Sequence, residues 1–233
     1  MYIIRNTTNL FLHLIPGILI GIIYYILSSL SFLSAIPRYN ILGFAGLIIL
    51  LPFIILVFRT FDSKECNSAT IPVLNKKTKP MNTILYSLSL FLLVGAIMSL
   101  MNPVTSYFQN IFAQWLPNSF FLTEDFTIYS QRTIIITIIF SSITIGVILP
   151  ILEEIYFRGF LLPRMKKQSA TGVLYHSILF ALYHTWSPWM IFARTIALFP
   201  LFYGVSKKQS LMIAIIVHIC ANMIDFILLT QYL

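Results

Sequence analysis

The chain has 233 residues, of which 58% are apolar and only 9% charged, with a mean hydropathy of +0.89. Soluble domains carry roughly 25% charged residues, so water is excluded as the solvent for most of this surface. The formal net charge of +8 then reads as basic loops facing the cytoplasm rather than as a nucleic-acid footprint, and no nucleic-acid partner is expected. The two cysteines, Cys66 and Cys220, offer neither a disulfide framework nor metal-ligand spacing.

Apolar runs near 20 residues must be helices, because unpaired backbone groups are too costly in hydrocarbon. Seven such spans are predicted, at about 9–34, 40–60, 81–102, 131–157, 171–187, 189–205 and 209–230. The first is preceded only by Arg5 and is too long for the apolar region of a signal peptide, so it is expected to be retained as a span. Between the second and third spans, 62–80 is the only soluble-looking stretch. After the third, Val104, Tyr107, Phe108, Ile111, Phe112 and Trp115 recur three or four apart. That spacing predicts either a short amphipathic helix on the outer leaflet or an aromatic-rich loop packed on the bundle. The short fifth and sixth spans meet at Trp186-Ser187-Pro188-Trp189, read as a tight hairpin with its tryptophans at the membrane interface.

With the N-terminus in the cytoplasm, Arg5, Arg59, Lys64, Lys76, Lys77, Lys79, Arg158, Arg164, Lys166, Lys167, Lys207 and Lys208 all fall inside, twelve of the fifteen basic residues. Only Arg38, Arg132 and Arg194 do not. The positive-inside rule therefore predicts an all-α polytopic bundle of about seven spans with a cytoplasmic N-terminus. No repeat or low-complexity segment divides the chain. It reads as one integral membrane domain over 1–233, with N-terminal spans in 1–130 and the candidate chemistry in the helices of 131–230.

Most of the seven acidic residues lie in loops; Glu153, Glu154 and Asp225 do not. A charge near the bilayer centre costs at least ~2.5–3.5 kcal/mol on insertion scales, so such residues are functional candidates by default. Glu154 and Arg158 stand four apart with the acid first, the favourable order for an ion pair. Glu153 is turned about 100° away and has no such partner on its own helix, which suits a general base or acid. The bland alternative is a structural charge cluster at a helix end.

Phe180 and His184 lie four apart on the fifth span, and His218 and Asn222 four apart on the seventh. His218 is about nine residues inside its helix, or ~13 Å, a depth at which these groups can meet Glu153. His176 reads as interfacial and His13 as a packing residue. Asp225 either orients His218 or is solvated in the outer half; Arg194 either snorkels outward or pairs with Asp225.

In order, Glu153-Glu154-x-x-x-Arg158, Phe180-x-x-x-His184 and His218-x-x-x-Asn222 resemble the pattern of the CAAX protease and bacteriocin-processing (Abi) family of integral-membrane peptidases. The match covers roughly 150–222. The resemblance implies an intramembrane peptidase, in which Glu153 and His184 activate a water, His218 and Asn222 bind the developing oxyanion, and Glu154–Arg158 holds the first helix in place. It leaves open a glutamate or a metallopeptidase: Glu153, His184 and His218 also make the His₂Glu ligand set of a catalytic zinc, and the metal-free mechanism is the preferred expectation. The implied partners are the lipid bilayer and a protein or peptide substrate. The compact chain resembles the bacterial members, linked to peptide maturation and bacteriocin self-immunity, which implies a bacterial plasma membrane. Two other readings compete. A proton-coupled transporter would need paired half-repeats, which the sequence lacks; a non-catalytic binding or immunity protein would keep the same residues as structural glue.

Overall fold

Backbone groups that cannot reach water must pair within their own segment, and the described residues, 4–62, 79–165 and 169–233, answer with helix nearly throughout and no strand. In the computed structural model six helices are long and apolar enough to cross a membrane. They are α1 (Asn6–Ser29), α2 (Arg38–Asp62), α3 (Pro80–Leu100), α5 (Gln131–Arg164), α7 (Ile191–Lys208) and α8 (Leu211–Leu229). A seventh apolar helix, α6 (Ala170–Tyr183), is shorter, and α4 (Asn102–Phe112) carries the aromatic repeat after α3. Outward-facing Phe11, Leu56, Leu92, Ile139 and Ile227 are all more than half exposed. Such a surface would aggregate in water and is matched by lipid: the chain is an integral, multi-pass membrane protein. Residues 63–78 of the expected polar loop, Cys66 among them, lie outside the described residues.

The predicted spans recur with shifted ends. The first stops at Ser29, where Ser29 Oγ turns back to the Tyr25 carbonyl and Leu30 becomes extended. The fourth runs on to Arg164, but not as a regular α-helix. Residues Ser142–Ile148 and Glu154–Leu161 are π-helical around a short α-helical piece, Leu149–Glu153. Pro150 accounts for part of this. The Leu149 N–H already bonds Thr144 O, five residues back, and in that register Pro150 would face Ile145 O with no N–H to give. Asn222 Nδ2 donates to that carbonyl instead, at 2.9 Å, and so ties α8 to α5.

Helix α6 is 14 residues long, about 21 Å, against a hydrocarbon core of roughly 30 Å. It ends within the bilayer thickness, where irregular backbone is tolerated only inside protein. The Thr185 N–H turns back to Tyr183 O at 2.8 Å, and Thr185 Oγ1 donates to Gly17 O at 2.6 Å. Helix α1 comes this close because Gly17 and Gly21 have no side chain: a Cβ on Gly17 would overlap the Tyr183 carbonyl, and one on Gly21 would overlap Thr185 Oγ1. The hairpin tryptophans face the protein interior. Trp186 and Trp189 are buried, the first with its ring 5.0 Å from His184, the second stacked on Phe121 at 4.7 Å.

Both alternatives for 103–130 contain part of the answer. Helix α4 is amphipathic, with Tyr107 exposed and Phe108 and Phe112 packed on the Phe120, Phe121 and Trp189 cluster. The following loop folds back onto the start of α2. Arg38 donates from its backbone N–H to Glu124 Oε1 (2.7 Å) and from Nη1 to Phe121 O (2.6 Å), and Tyr129 O–H donates to Glu124 Oε2 (2.8 Å).

Candidate active site

The widened turn that opens at Glu154 carries the first cluster. Glu154 and Arg158 form an ion pair, with the carboxylate completely buried and Arg158 nearly so. The guanidinium lies over the Phe202 ring at 3.6 Å and the Phe180 ring at 4.6 Å, so aromatic faces take the place of water around it. On the other side His218 Nδ1 is 2.7 Å from Glu154 Oε1. A carboxylate accepts, so Nδ1 carries the proton and Nε2 points the other way. Glu154 therefore joins α5 to α8 as well as to its own helix.

Glu153, one position earlier, faces elsewhere. Its Oε1 accepts from the Tyr183 hydroxyl at 3.1 Å, and its Oε2 lies 3.9 Å from His218 Nε2, too far for a hydrogen bond. Oε2 is buried and has no hydrogen-bond partner among the described residues. His184 stands at the C-terminal end of α6, where its Nδ1 donates to Phe180 O at 2.8 Å, leaving Nε2 as the free ring nitrogen. Phe180 thus does two things: its carbonyl orients His184 and its ring supports Arg158. Glu153, His184, His218 and Asn222 all border one cavity of about 570 Å³. Its apolar walls also come from α1, α2 and α3, through Ile20, Leu42 and Phe91. The chemical content is a carboxylate with an unpaired oxygen, an imidazole with a free nitrogen, and a second imidazole backed by a buried ion pair.

Other residues land away from their expected positions. His176 is not interfacial but fully buried, with Nδ1 3.0 Å from His13 Nε2, while His13 Nδ1 donates to Asn9 O at 2.9 Å. The two histidines, on α1 and α6, meet across 163 residues of sequence, a contact neither could signal alone, and His176 Nε2 stays buried without a hydrogen-bond partner among the described residues. Asp225 makes no hydrogen bond to His218 and borders the cavity. Arg194 Nη1 donates to Ser187 Oγ at 2.8 Å; Asp225 acts on it through space without a direct ion pair. Sequence reasoning missed Tyr183, whose only signal is its place before His184, and the pair Gly17-x-x-x-Gly21, a small-residue packing motif legible in the sequence.

Residues 131–224 match the family model described as Type II CAAX prenyl endopeptidase Rce1-like. This part of the chain is similar to that family. The match starts where α5 starts and ends two residues past Asn222, so the Rce1-like segment holds all three motifs and bears out the resemblance drawn from them. No curated protein and no solved structure matches the chain. Helices α1 to α4 lie outside the Rce1-like segment, yet they wall its cavity. The zinc alternative can be compared with the donor geometry. Ligands would need to converge to about 2.0–2.2 Å from one point; among the described residues no three His, Cys, Asp or Glu side chains gather in this way. In the Rce1-like segment His218 Nδ1 is committed to Glu154, and His218 Nε2 stands 3.9 Å from Glu153 Oε2. A carboxylate on the far ring nitrogen and two donors a few ångströms apart are equally features of a zinc-bound histidine beside a glutamate ligand, so metal content is what distinguishes the two forms.

Proposed function

We propose that this protein is an intramembrane endopeptidase of the glutamate type, hydrolysing a peptide bond of a membrane-associated protein or peptide. The observation that carries the reading is the unpaired, buried Oε2 of Glu153 on a cavity shared with His184 and His218. Amide hydrolysis needs a base for water and donors aimed where charge develops. Glu153 takes a proton from water as the water oxygen bonds to the scissile carbonyl carbon, and His184 Nε2 accepts the other water hydrogen to hold it in line. Protonated His218 donates from Nε2 to the developing oxyanion, while the Glu154 carboxylate stabilises its charge from behind. Asn222 has one amide N–H committed to Ile145 O, and its second is the further donor. Glu153 then passes its proton to the leaving amine as the C–N bond breaks. Tyr183 holds Glu153 in place through Oε1. The setting we infer is a bacterial plasma membrane with the N-terminus cytoplasmic, in peptide maturation or bacteriocin self-immunity.

The test is cleavage of a peptide library by purified protein in lipid, wild type against Glu153→Gln. The expected outcome is turnover in the wild type and at least a roughly thousandfold loss in the variant (about 4 kcal/mol at tenfold per 1.4), with an unchanged melting temperature. Turnover that survives Glu153→Gln overturns the mechanism, and a stoichiometric zinc signal lost on changing His184 or His218 overturns its metal-free form. A peptide that binds equally well to the wild type and to Glu153→Gln without being cut favours the non-catalytic reading.

A further inference from the structure

Arg194 has no part in the steps above, yet it borders the same cavity as Glu153 and His184. Arg158, which borders the cavity too, is already neutralised by Glu154 and covered by two aromatic faces, although its Nε has no hydrogen-bond partner among the described residues. Arg194 is held on one side only. Nη1 donates to Ser187 Oγ at 2.8 Å and to Ser187 O at 3.3 Å, and Nη2 meets Met190 Sδ at 3.4 Å. A thioether is a weak acceptor. Among the described residues no carboxylate oxygen lies within ion-pair distance of this guanidinium, and Nε makes no hydrogen bond. The Ser187 contacts fix the plane of the group from the Nη1 side. What is left is the Nε and Nη2 edge, the fork that takes a carboxylate through two parallel N–H bonds.

A guanidinium among apolar walls at membrane depth is normally paired. Asp225 borders the cavity too and acts on Arg194 through space, as Glu153 does, but forms no ion pair with it. We propose that Arg194 is a specificity-determining residue that anchors a carboxylate of the substrate peptide, either its C-terminal carboxylate or an acidic side chain, inside the cavity where the peptide bond is cut. This rests on the peptidase reading. A hydrophobic segment alone would satisfy the cavity walls; the carboxylate sets the register of the peptide along them. Tying Arg194 to Ser187, three residues past His184, links that register to the position of the imidazole that holds the water.

The experiment uses the full chain in lipid vesicles and matched peptides: a free C-terminal acid, its amide, and amides with one internal Glu or Gln. Steady-state cleavage is measured for wild type, Arg194→Gln, Arg194→Lys and Asp225→Asn. The wild type is expected to prefer one carboxylate peptide over its neutral match by about ten- to hundredfold, mostly in KM, the worth of a charged hydrogen bond. Preference for the free acid identifies the C-terminus, and preference for Glu over Gln identifies a side chain. Arg194→Gln should bring the ratio toward one, and Arg194→Lys, which keeps the charge but loses the fork, should keep part of it. Equal cutting of acid and neutral peptides by the wild type overturns the proposal. So does a loss of preference in Asp225→Asn equal to that in Arg194→Gln, which would make Arg194 half of an internal pair. If nothing is cut, binding of the same labelled peptides separates the two claims. A carboxylate preference lost in Arg194→Gln sustains the anchor while the peptidase reading falls; no preference overturns the anchor as well.

Discussion

Arg158 shows how much a single side chain holds here. Its guanidinium balances a fully buried carboxylate and rests on two rings; truncating it to Ala leaves Glu154 as an uncompensated charge, a cost on the order of 3–5 kcal/mol. Arg158→Ala is expected to accumulate poorly and melt well below the wild type, with Arg158→Lys in between because it keeps the charge but loses the planar fork. Normal melting of Arg158→Ala in detergent would remove the clamp from the mechanism. Tyr183→Phe probes a lighter contact. It deletes the hydroxyl on Glu153 and keeps the ring in its aromatic surroundings, so kcat should fall about tenfold with little change in melting temperature. An unchanged kcat would mean that Glu153 needs no such support. Of these residues, Glu153, Glu154 and Arg158 were legible because charges in an apolar run are anomalous and the spacing four is a helix contact. Tyr183 was not, because nothing in a sequence marks which tyrosine on one helix meets a carboxylate thirty residues earlier.

Among the elements, α6 decides the geometry of the site. Ending inside the membrane thickness frees His184 from a helical ladder and lets its ring face the cavity, and α1 fixes that end through the close approach at Gly17 and Gly21. Gly17→Val would force methyl groups into the Tyr183 carbonyl, an overpacking cost of about 1–3 kcal/mol delivered next to His184. Turnover should therefore fall further than the loss of stability explains. Leu19→Val, on the exposed face of the same helix and away from the cavity, is the control for the cost of a β-branched residue in α1. If both variants melt alike and Gly17→Val turns over normally, α1 does not position α6. The helical period predicted α5 as a span and placed its acids, but not its π-helical turns. The first of those accompanies Pro150, whose missing N–H leaves the Ile145 carbonyl to Asn222 on a distant helix.

For the whole molecule, the short α6 leaves the parity of the bundle intact. If α6 and α7 together return the chain to the side it left, the five other helices long enough to cross put the termini on opposite sides. With the basic residues distributed as they are, we expect an N-terminal fluorescent fusion to report the cytoplasm and a C-terminal phosphatase fusion to be active outside. A cytoplasmic signal from both ends would require a crossing to be added or removed. The cavity needs this whole arrangement, since its walls come from α1, α2 and α3 as well as from the Rce1-like segment. That segment expressed alone would leave the apolar walls of the cavity open to lipid.

The amino-acid order alone settled the solvent and the apolar segments, and marked the charged groups on which the proposed chemistry rests. Those properties are local: hydrophobic length, helical spacing, and the cost of a charge in hydrocarbon. Tertiary structure decided which of those groups meet. It set His218 on Glu154 rather than on Glu153, buried the His13–His176 pair, turned the hairpin tryptophans inward and left one edge of Arg194 open. Each of these depends on the rotation and depth of helices far apart in the chain, fixed by side-chain packing and shared hydrogen bonds that no periodicity records.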